Sequence, residues 1–176
     1  MPDEHTLAET EQATSDRVGH LSLDFGAMQA VSSLYRAANS ARSHLTNTVL
    51  RRHELTWTGF LVLWLLWIWD RMETRRVAED VGISKATLTG VTNTLVTRGL
   101  VRRVPSTVDR RLVGLELTDE GNHLMETLFP EFNNAEAQLV GALGDCQVQE
   151  LTTSLRQIVS TVEELAAETS AATTAS

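Results

Sequence analysis

The sequence predicts a mainly α-helical protein with one small β-hairpin, and three observations support this prediction. Apolar residues recur at spacings of three and four over most of the chain, which is the period of an α-helix. Two short strand-like segments flank a turn at residues 105–110, and apolar residues alternate along the second of them, as in a strand of a hairpin. Ahead of this hairpin, Gly82 separates two short helical segments, as in a helix-turn-helix. A helix-turn-helix followed by a two-stranded hairpin is a winged helix-turn-helix.

The helix-turn-helix is expected between Thr74 and about residue 99. Its first helix covers residues 75–81 with Thr74 as the N-cap, and Gly82 supplies the positive φ that the turn requires. Ser84 is expected to cap the second helix by accepting a hydrogen bond from an N–H of its first turn. The outward-facing polar residues of that helix are Lys85, Thr87, Thr89 and Asn93. We interpret it as the helix that enters a DNA groove, since base edges are read by hydrogen bonds and phosphates attract positive charge.

The hairpin forms the wing, with strands expected at residues 100–104 and 111–117 after Gly99 ends the preceding helix. Val113, Leu115 and Leu117 are expected on one face of the second strand. Four arginines lie along the wing: Arg102, Arg103, Arg110 and Arg111. An arginine on a projecting tip can reach a minor groove, where negative potential concentrates.

Asp109 is expected to hold the wing arginines in place, because a carboxylate facing phosphates would be repelled. The candidate DNA contacts are therefore the four wing arginines, Arg75, Ser84 and the four outward polar residues of the second helix. The alternative interpretation treats the wing arginines as solvated strand residues, which is the usual fate of surface charge.

Residues 81–90 and the wing together resemble the MarR family of multiple antibiotic resistance regulators. The wing residues that carry this resemblance are Asp109-Arg110-Arg111, Leu115, Leu117-Thr118 and Gly121. The resemblance extends in element order from residue 21 to 165 and implies an obligate homodimer that binds palindromic DNA, often as a repressor relieved by a small ligand or an oxidant. Many relatives have Asp-Arg or Asp-Lys where this chain has Asn93-Thr94, so the family's base readout is not carried over.

The charge of the chain is unevenly distributed. The formal net charge is −8, yet residues 71–111 contain nine basic and four acidic residues and so carry +5, which leaves −13 on the remainder. Because local positive charge attracts phosphate, this asymmetry supports DNA binding despite the acidic total.

The remaining segments divide into tails and long helices. Residues 1–20 and 169–176 are expected to be disordered tails by composition. A helix of residues 21–54 and the helices of residues 119–168 are assigned to dimerisation, on either side of a DNA-binding lobe at residues 55–118. Thr118 and Asp145 are the expected caps, and Pro130 is expected to bend or interrupt the first C-terminal helix. The last helix carries an apolar stripe that has little to pack against within one chain.

A helix at residues 55–69 is apolar nearly all round and contains four tryptophans. The simpler interpretation of these tryptophans is that they pack in the core and at a dimer interface. The more specific interpretation is that one or two of them line a cavity for a small aromatic or apolar effector, because pockets are mostly apolar with a few polar groups. The candidate ligand-binding residues are Tyr35, Arg42, His44, His53, Trp64 and Trp67. The apolar run of residues 59–69 is shorter than the roughly 20 residues that a membrane span needs, so no membrane partner is expected.

Other functions are not supported by the sequence. The single Cys146 excludes an internal disulfide and fits a reducing cytoplasm, and a role in oxidant sensing is disfavoured. The five histidines form no cluster with metal-ligand spacing, and no phosphate loop or catalytic motif appears, so we expect no metal, cofactor or enzymatic activity. Two alternatives stay open, a winged-helix adaptor that binds proteins and a DNA-binding protein that responds to no ligand.

Overall fold

The computed structural model describes residues 6–105 and 113–174, and it divides into two compact units at Trp57 and Thr58. The elements in chain order are α1 (Leu7–Val18), α2 (Phe25–Thr48), a 3-10 turn (Leu50–His53), α3 (Trp57–Trp69), β1 (Arg71–Glu73), α4 (Thr74–Val81), α5 (Lys85–Thr97), β2 (Val101–Pro105), β3 (Val113–Leu117), α6 (Asp119–Val140) and α7 (Asp145–Thr174). The mainly helical fold with a small antiparallel sheet is therefore confirmed.

Helix α1 corrects the prediction of a disordered N-terminal tail. Its first turn is a capping box, in which Oγ1 of Thr6 accepts from the N–H of Glu9 at 3.2 Å. The Glu9 carboxylate in turn accepts from the backbone N–H of Thr6 at 2.7 Å, and these hydrogen bonds lower the pKa of Glu9. Two of the N–H groups that a helix start leaves exposed are satisfied in this way, which favours the helix. Residues 1–5 lie outside the described part of the chain.

Helix α2 begins later than residue 21, because Asp24 caps it by accepting from the N–H of Ala27 at 2.9 Å. It ends at Thr48, and the chain continues into the 3-10 turn instead of extending the helix to residue 54. Glu54 then adopts a left-handed conformation with φ of 53°, which closes this segment. Most of α2 is exposed, with Leu45 buried near its end.

In the second unit, α3 and α6 are joined by aromatic contacts. The rings of Phe60 and Phe132 stack with centroids 4.2 Å apart, and those of Trp67 and Phe129 meet at 5.3 Å and a tilt of 50°. Both distances lie within or near the usual range for favourable aromatic pairs. Among the described residues, no helix is long and apolar enough to cross a membrane.

Pro130 lies inside α6, which runs unbroken from Asp119 to Val140, so the proline does not interrupt the helix, and the alternative expectation of a bend stays a prediction. A proline removes one backbone hydrogen bond from a helix. Leu128 and Phe132, two residues before and two residues after the proline, are 0% and 3% exposed. Burial of these two apolar side chains offsets the lost hydrogen bond and stabilises the helix on both sides of Pro130.

Helix α7 corrects two further predictions. Asp145 is its first residue and not its cap, since the carbonyl of Gly144 already accepts the first helical bond, from Val148 at 3.0 Å. The N–H of Gly144 donates to the side chain of Gln147 at 3.0 Å. The helix also continues through the expected C-terminal tail to Thr174, because no glycine or proline follows Gly144 to stop it. Residues 175 and 176 lie outside the described range.

The sheet has three strands in the order β1-β3-β2, all antiparallel. The predicted hairpin is present, and β1 is an addition that the sequence analysis did not anticipate. Leu115 and Leu117 are buried as expected, whereas Val113, which pairs with Pro105 at the end of the two strands nearest their connection, is 43% exposed. Gly114 is buried, and a Cβ at this position would lie 3.3 Å from Cγ2 of Val104, its register partner in β2.

Candidate nucleic-acid interface

Helix α4 forms the first half of the helix-turn-helix and packs on α5 through the buried Val77 and Ala78. Thr74 is its first helical residue, so the cap position belongs to Glu73 and the expected cap by Thr74 is wrong. Arg75 projects outward and pairs with Glu79 one turn later, Nε to Oε1 at 2.8 Å. This hydrogen bond raises the pKa of Arg75, so the guanidinium stays charged and is paired with the Glu79 carboxylate.

The turn between the two helices is built as predicted. Gly82 has φ of 72°, which an L side chain rarely adopts, and the N–H of Ile83 donates to the carbonyl of Ala78 at 3.0 Å. Ser84 then caps α5 by accepting from the N–H of Thr87 at 3.1 Å. These local bonds set the direction in which α5 leaves the turn.

Helix α5 has a buried face and an exposed polar face. Leu88, Thr92 and Leu95 are buried, whereas all the predicted contact residues of this helix (Ser84, Lys85, Thr87, Thr89 and Asn93) are exposed. Thr89 donates to the carbonyl of Lys85 at 2.8 Å, and the Thr87 and Ser84 hydroxyls lie 2.8 Å apart. The ammonium group of Lys85 has no partner among the described residues, so its charge is available to an external anion.

Two further residues share the exposed face and were not singled out from the sequence. Gly90 and Thr94 are exposed, one turn apart, and Thr94 donates to the carbonyl of Gly90 at 3.3 Å. The signal that identifies them is helical spacing, because Gly90 lies three positions before Asn93 and three after Thr87.

The two arginines of β2 lie on opposite faces of the sheet, as consecutive strand residues do. Arg102 stands opposite Glu116 of β3, and its Nε lies 2.6 Å from Oε1 of that carboxylate. Arg71 of β1 approaches the other oxygen of Glu116 at 3.5 Å. One carboxylate therefore separates two guanidinium groups on the outer face of the sheet.

Arg103 contacts the recognition helix instead of a carboxylate. Its Nη2 donates to Oδ1 of Asn93 on α5 at 2.7 Å. Arg102 and Arg103, which the sequence analysis grouped with the other wing arginines, thus have different surroundings, and Arg103 lies beside the exposed face of α5. The predicted wing-tip residues Asp109, Arg110 and Arg111 lie outside the described residues.

The base of the wing is tied to the end of α5. Thr118 caps α6 by accepting from the N–H of Gly121 at 3.0 Å, as predicted, and its hydroxyl donates to the carbonyl of Gly99. A Cβ at Gly121 would overlap the carbonyl oxygen of Leu100, so only glycine fits there. These contacts explain why threonine and glycine occur at the two positions.

The candidate ligand-binding residues fall in both units. In the first unit, Tyr35 is 68% exposed, His44 is exposed and His53 is half-buried. Arg42 is exposed and donates to Oδ1 of Asn39 at 3.2 Å. In the second unit, Trp64 and Trp67 are half-buried, and Trp67 is the one whose ring packs on Phe129. Among residues 6–105 and 113–174, no three His, Cys, Asp or Glu side chains are grouped closely enough to hold a metal ion.

Comparison with known proteins gives one consistent result. A family model described as "MarR family" matches residues 55–113. An uncharacterized HTH-type transcriptional regulator of Bacillus subtilis, YwaE, is 38% identical over 137 residues, which cover 78% of this chain and 80% of the relative. The HTH-type transcriptional regulator MgrA of Staphylococcus aureus is 29% identical over 75% of this chain and 88% of its own length.

A solved structure of BpsR from Bordetella bronchiseptica superimposes with a TM-score of 0.67. It is 26% identical and covers 74% of this chain and 98% of its own. The DNA binding of BpsR is regulated by 6-hydroxynicotinic acid.

Proposed function

The chain belongs to the MarR family of DNA-binding transcriptional regulators, and we propose that it acts as a cytoplasmic homodimeric repressor on a pseudo-palindromic operator. The observation that carries the proposal is the exposed polar face of α5, on which Lys85 has no counterion among the described residues. Hydroxyl, amide and ammonium groups on one helix face supply both the hydrogen bonds and the charge that groove binding needs.

The proposal of a homodimer is supported by α7. Its apolar residues are between 36% and 58% exposed, although such residues normally lie in a core: Leu151, Leu155, Ile158, Val159, Val162 and Leu165. Because they recur at spacings of three and four, they form one stripe along a helix of 30 residues. A second copy of the chain would bury this stripe and bring two recognition helices to half-sites about one helical turn apart.

The proposal of a releasing ligand is supported by the half-buried tryptophans Trp64 and Trp67 and by the regulation of BpsR by an aromatic acid. We expect an aromatic or apolar effector. Such an effector relieves repression only if it binds the form of the dimer that does not fit DNA more tightly than the form that does.

The test of DNA binding is fluorescence anisotropy with DNA from upstream of the protein's own gene, across a salt series and against shuffled competitor DNA. Tight binding that outcompetes shuffled DNA and falls steeply with salt is expected, because phosphate contacts release counterions. Weak binding that is indifferent to salt would refute the proposal and favour the protein–protein adaptor.

The test of the effector is a panel of small aromatic acids and phenols, monitored by tryptophan fluorescence and by release of operator DNA. We expect at least one member to change both signals at the same concentration. If tight operator binding is unaffected by the whole panel, the ligand-independent alternative replaces this part of the proposal.

A further inference from the structure

Arg103 and Asn93 form a contact that links the wing to the recognition helix. Arg103 lies on the face of β2 that also carries the buried Val101, and its register partner in β3 is the buried Leu115. This face turns toward α5, which packs on β2. The guanidinium therefore reaches Asn93 at 2.7 Å, on the exposed side of the helix.

The contact decides what the two side chains can offer to a third group. An asparagine amide has one acceptor oxygen and two donor hydrogens, and a guanidinium has five donors and no acceptor. Here the Asn93 oxygen is engaged by Arg103, and a second donor approaching that oxygen would meet the guanidinium charge. The free hydrogen-bonding capacity of the pair consists of donors.

The pair also keeps its positive charge. Asn93 is neutral, so it orients the Arg103 guanidinium without cancelling it, whereas an aspartate at the same position would form a salt bridge. Arg102 differs in this respect, because Glu116 lies 2.6 Å from it. Of the two arginines in β2, Arg103 is the one with no carboxylate partner among the described residues.

We propose that Arg103 and Asn93 act as one unit that recognises a guanine in the major groove entered by α5. Guanine presents two acceptors there, N7 and O6, which match a donor-only cationic unit. Adenine presents an acceptor beside a donor, and cytosine presents a donor, so each opposes at least one donor of the pair. The inference rests on the proposed operator binding by α5.

The experiment is selection of binding sites from random duplex DNA by the full-length protein and by four variants, Asn93→Ala, Asn93→Asp, Arg103→Ala and Arg102→Ala. The wild type is expected to select a guanine at one position of each half-site. In both alanine variants of the pair, the preference for that guanine over adenine is expected to fall about tenfold, which is the usual scale for the loss of one base contact. The base preferences at the other positions of the half-site are expected to stay unchanged. Arg102→Ala is the matched control, since it lies on the opposite face of β2, and it should keep the guanine.

Asn93→Asp has the size of the native side chain and so tests the inference even where an alanine variant fails to fold. It is expected to lose the guanine preference, because the carboxylate would pair with Arg103 and repel O6 and N7. Weakening of every sequence alike by the pair variants would show a phosphate contact and overturn the inference, as would an unchanged consensus. If the wild type selects no sequence at all, the proposed operator binding itself is refuted, and the inference falls with it.

Discussion

Oε1 of Glu116 lies 2.6 Å from Nε of Arg102, so the strand next to β2 supplies the counterion of this arginine. The second oxygen of the same carboxylate lies 3.5 Å from Nε of Arg71. Glu116 thus reduces the positive potential of the outer sheet face and forms ion pairs with the guanidinium groups of Arg71 and Arg102. Its removal leaves both charges free to attract phosphate.

Glu116→Gln is expected to raise DNA affinity several-fold at low salt and to steepen the salt dependence, because two arginines lose their carboxylate partner. The loss of stability should be small, at about 1 kcal/mol or less, as is usual for exposed ion pairs. Anisotropy titrations at several salt concentrations measure the affinity. Glu126→Gln removes the same charge from an exposed position on α6 and should leave binding unchanged. Weaker DNA binding by Glu116→Gln would mean that Glu116 positions the arginines for contact.

Gly90→Ala is expected to stabilise the protein by about 0.5–1 kcal/mol, because glycine is costly in a helix interior. Gly90 lies within α5 with ordinary helical geometry, and a Cβ there would meet no atom within 4 Å. Urea denaturation at fixed protein concentration measures the change.

Gly82→Ala is the matched control for this change. A Cβ at Gly82 also meets nothing within 4 Å, but φ is 72°, so an alanine is strained there. We expect a loss of about 1 kcal/mol or more. Equal effects of the two substitutions would contradict the assignment of the turn conformation to Gly82.

Thr92→Val is expected to stabilise the fold by about 1 kcal/mol, because it removes a buried polar group that lacks a partner. Thr92 is 1% exposed, and its Oγ1 has no hydrogen bond to any described group. Valine keeps the shape of the side chain, whereas Thr92→Ala should destabilise by leaving a cavity. Thermal unfolding of the wild type and the two variants at one protein concentration gives their order of stability. A valine variant less stable than the wild type would show that the Thr92 hydroxyl has a hydrogen-bond partner.

Local interactions explain why much of the fold was predictable. The positive φ at Gly82, the Ser84 cap and the Thr118 cap each depend on residues within one turn, so the sequence alone indicates them. The N-terminal capping box of Thr6 and Glu9 has the same local character and matches a known pattern. The polar and acidic composition of residues 1–20 predicts disorder instead, although the spacing of Thr6 and Glu9 indicates a helix start.

The surroundings of the arginines were not predictable in the same way. Asn93 and Arg103 are ten residues apart, and Arg102 and Glu116 are fourteen apart. Both contacts depend on the strand register and on how α5 packs against β2. A three-residue strand such as β1 is also too short to show a period in sequence.

The first turn of α1 is expected to lose order in acid, because the pKa of Glu9 is lowered by its hydrogen bonds to the N–H and hydroxyl of Thr6. A carboxylate whose folded pKa lies below its ordinary value of 4.5 stabilises the structure above that value. This contribution is lost as the pH falls through the lowered pKa. The amide shift of Thr6 across a pH titration measures it. In Glu9→Gln the side chain still accepts a hydrogen bond and does not titrate, so the same shift should show no transition there.

Val162→Glu is expected to separate the proposed homodimer, because it places a charge in the middle of the apolar stripe of α7, where the native side chain is 58% exposed in the single chain. Burying an unpaired carboxylate between two copies of the helix costs several kcal/mol. Ser160→Glu adds the same charge nearly opposite that stripe on the same helix and should remain dimeric. Light scattering at micromolar concentration measures the mass of each variant. A monomer is also expected to lose most of its affinity for a two-half-site operator while keeping weak binding to one half-site, since each subunit retains α5. If Val162→Glu stays dimeric, the stripe of α7 is not the surface that pairs the two copies.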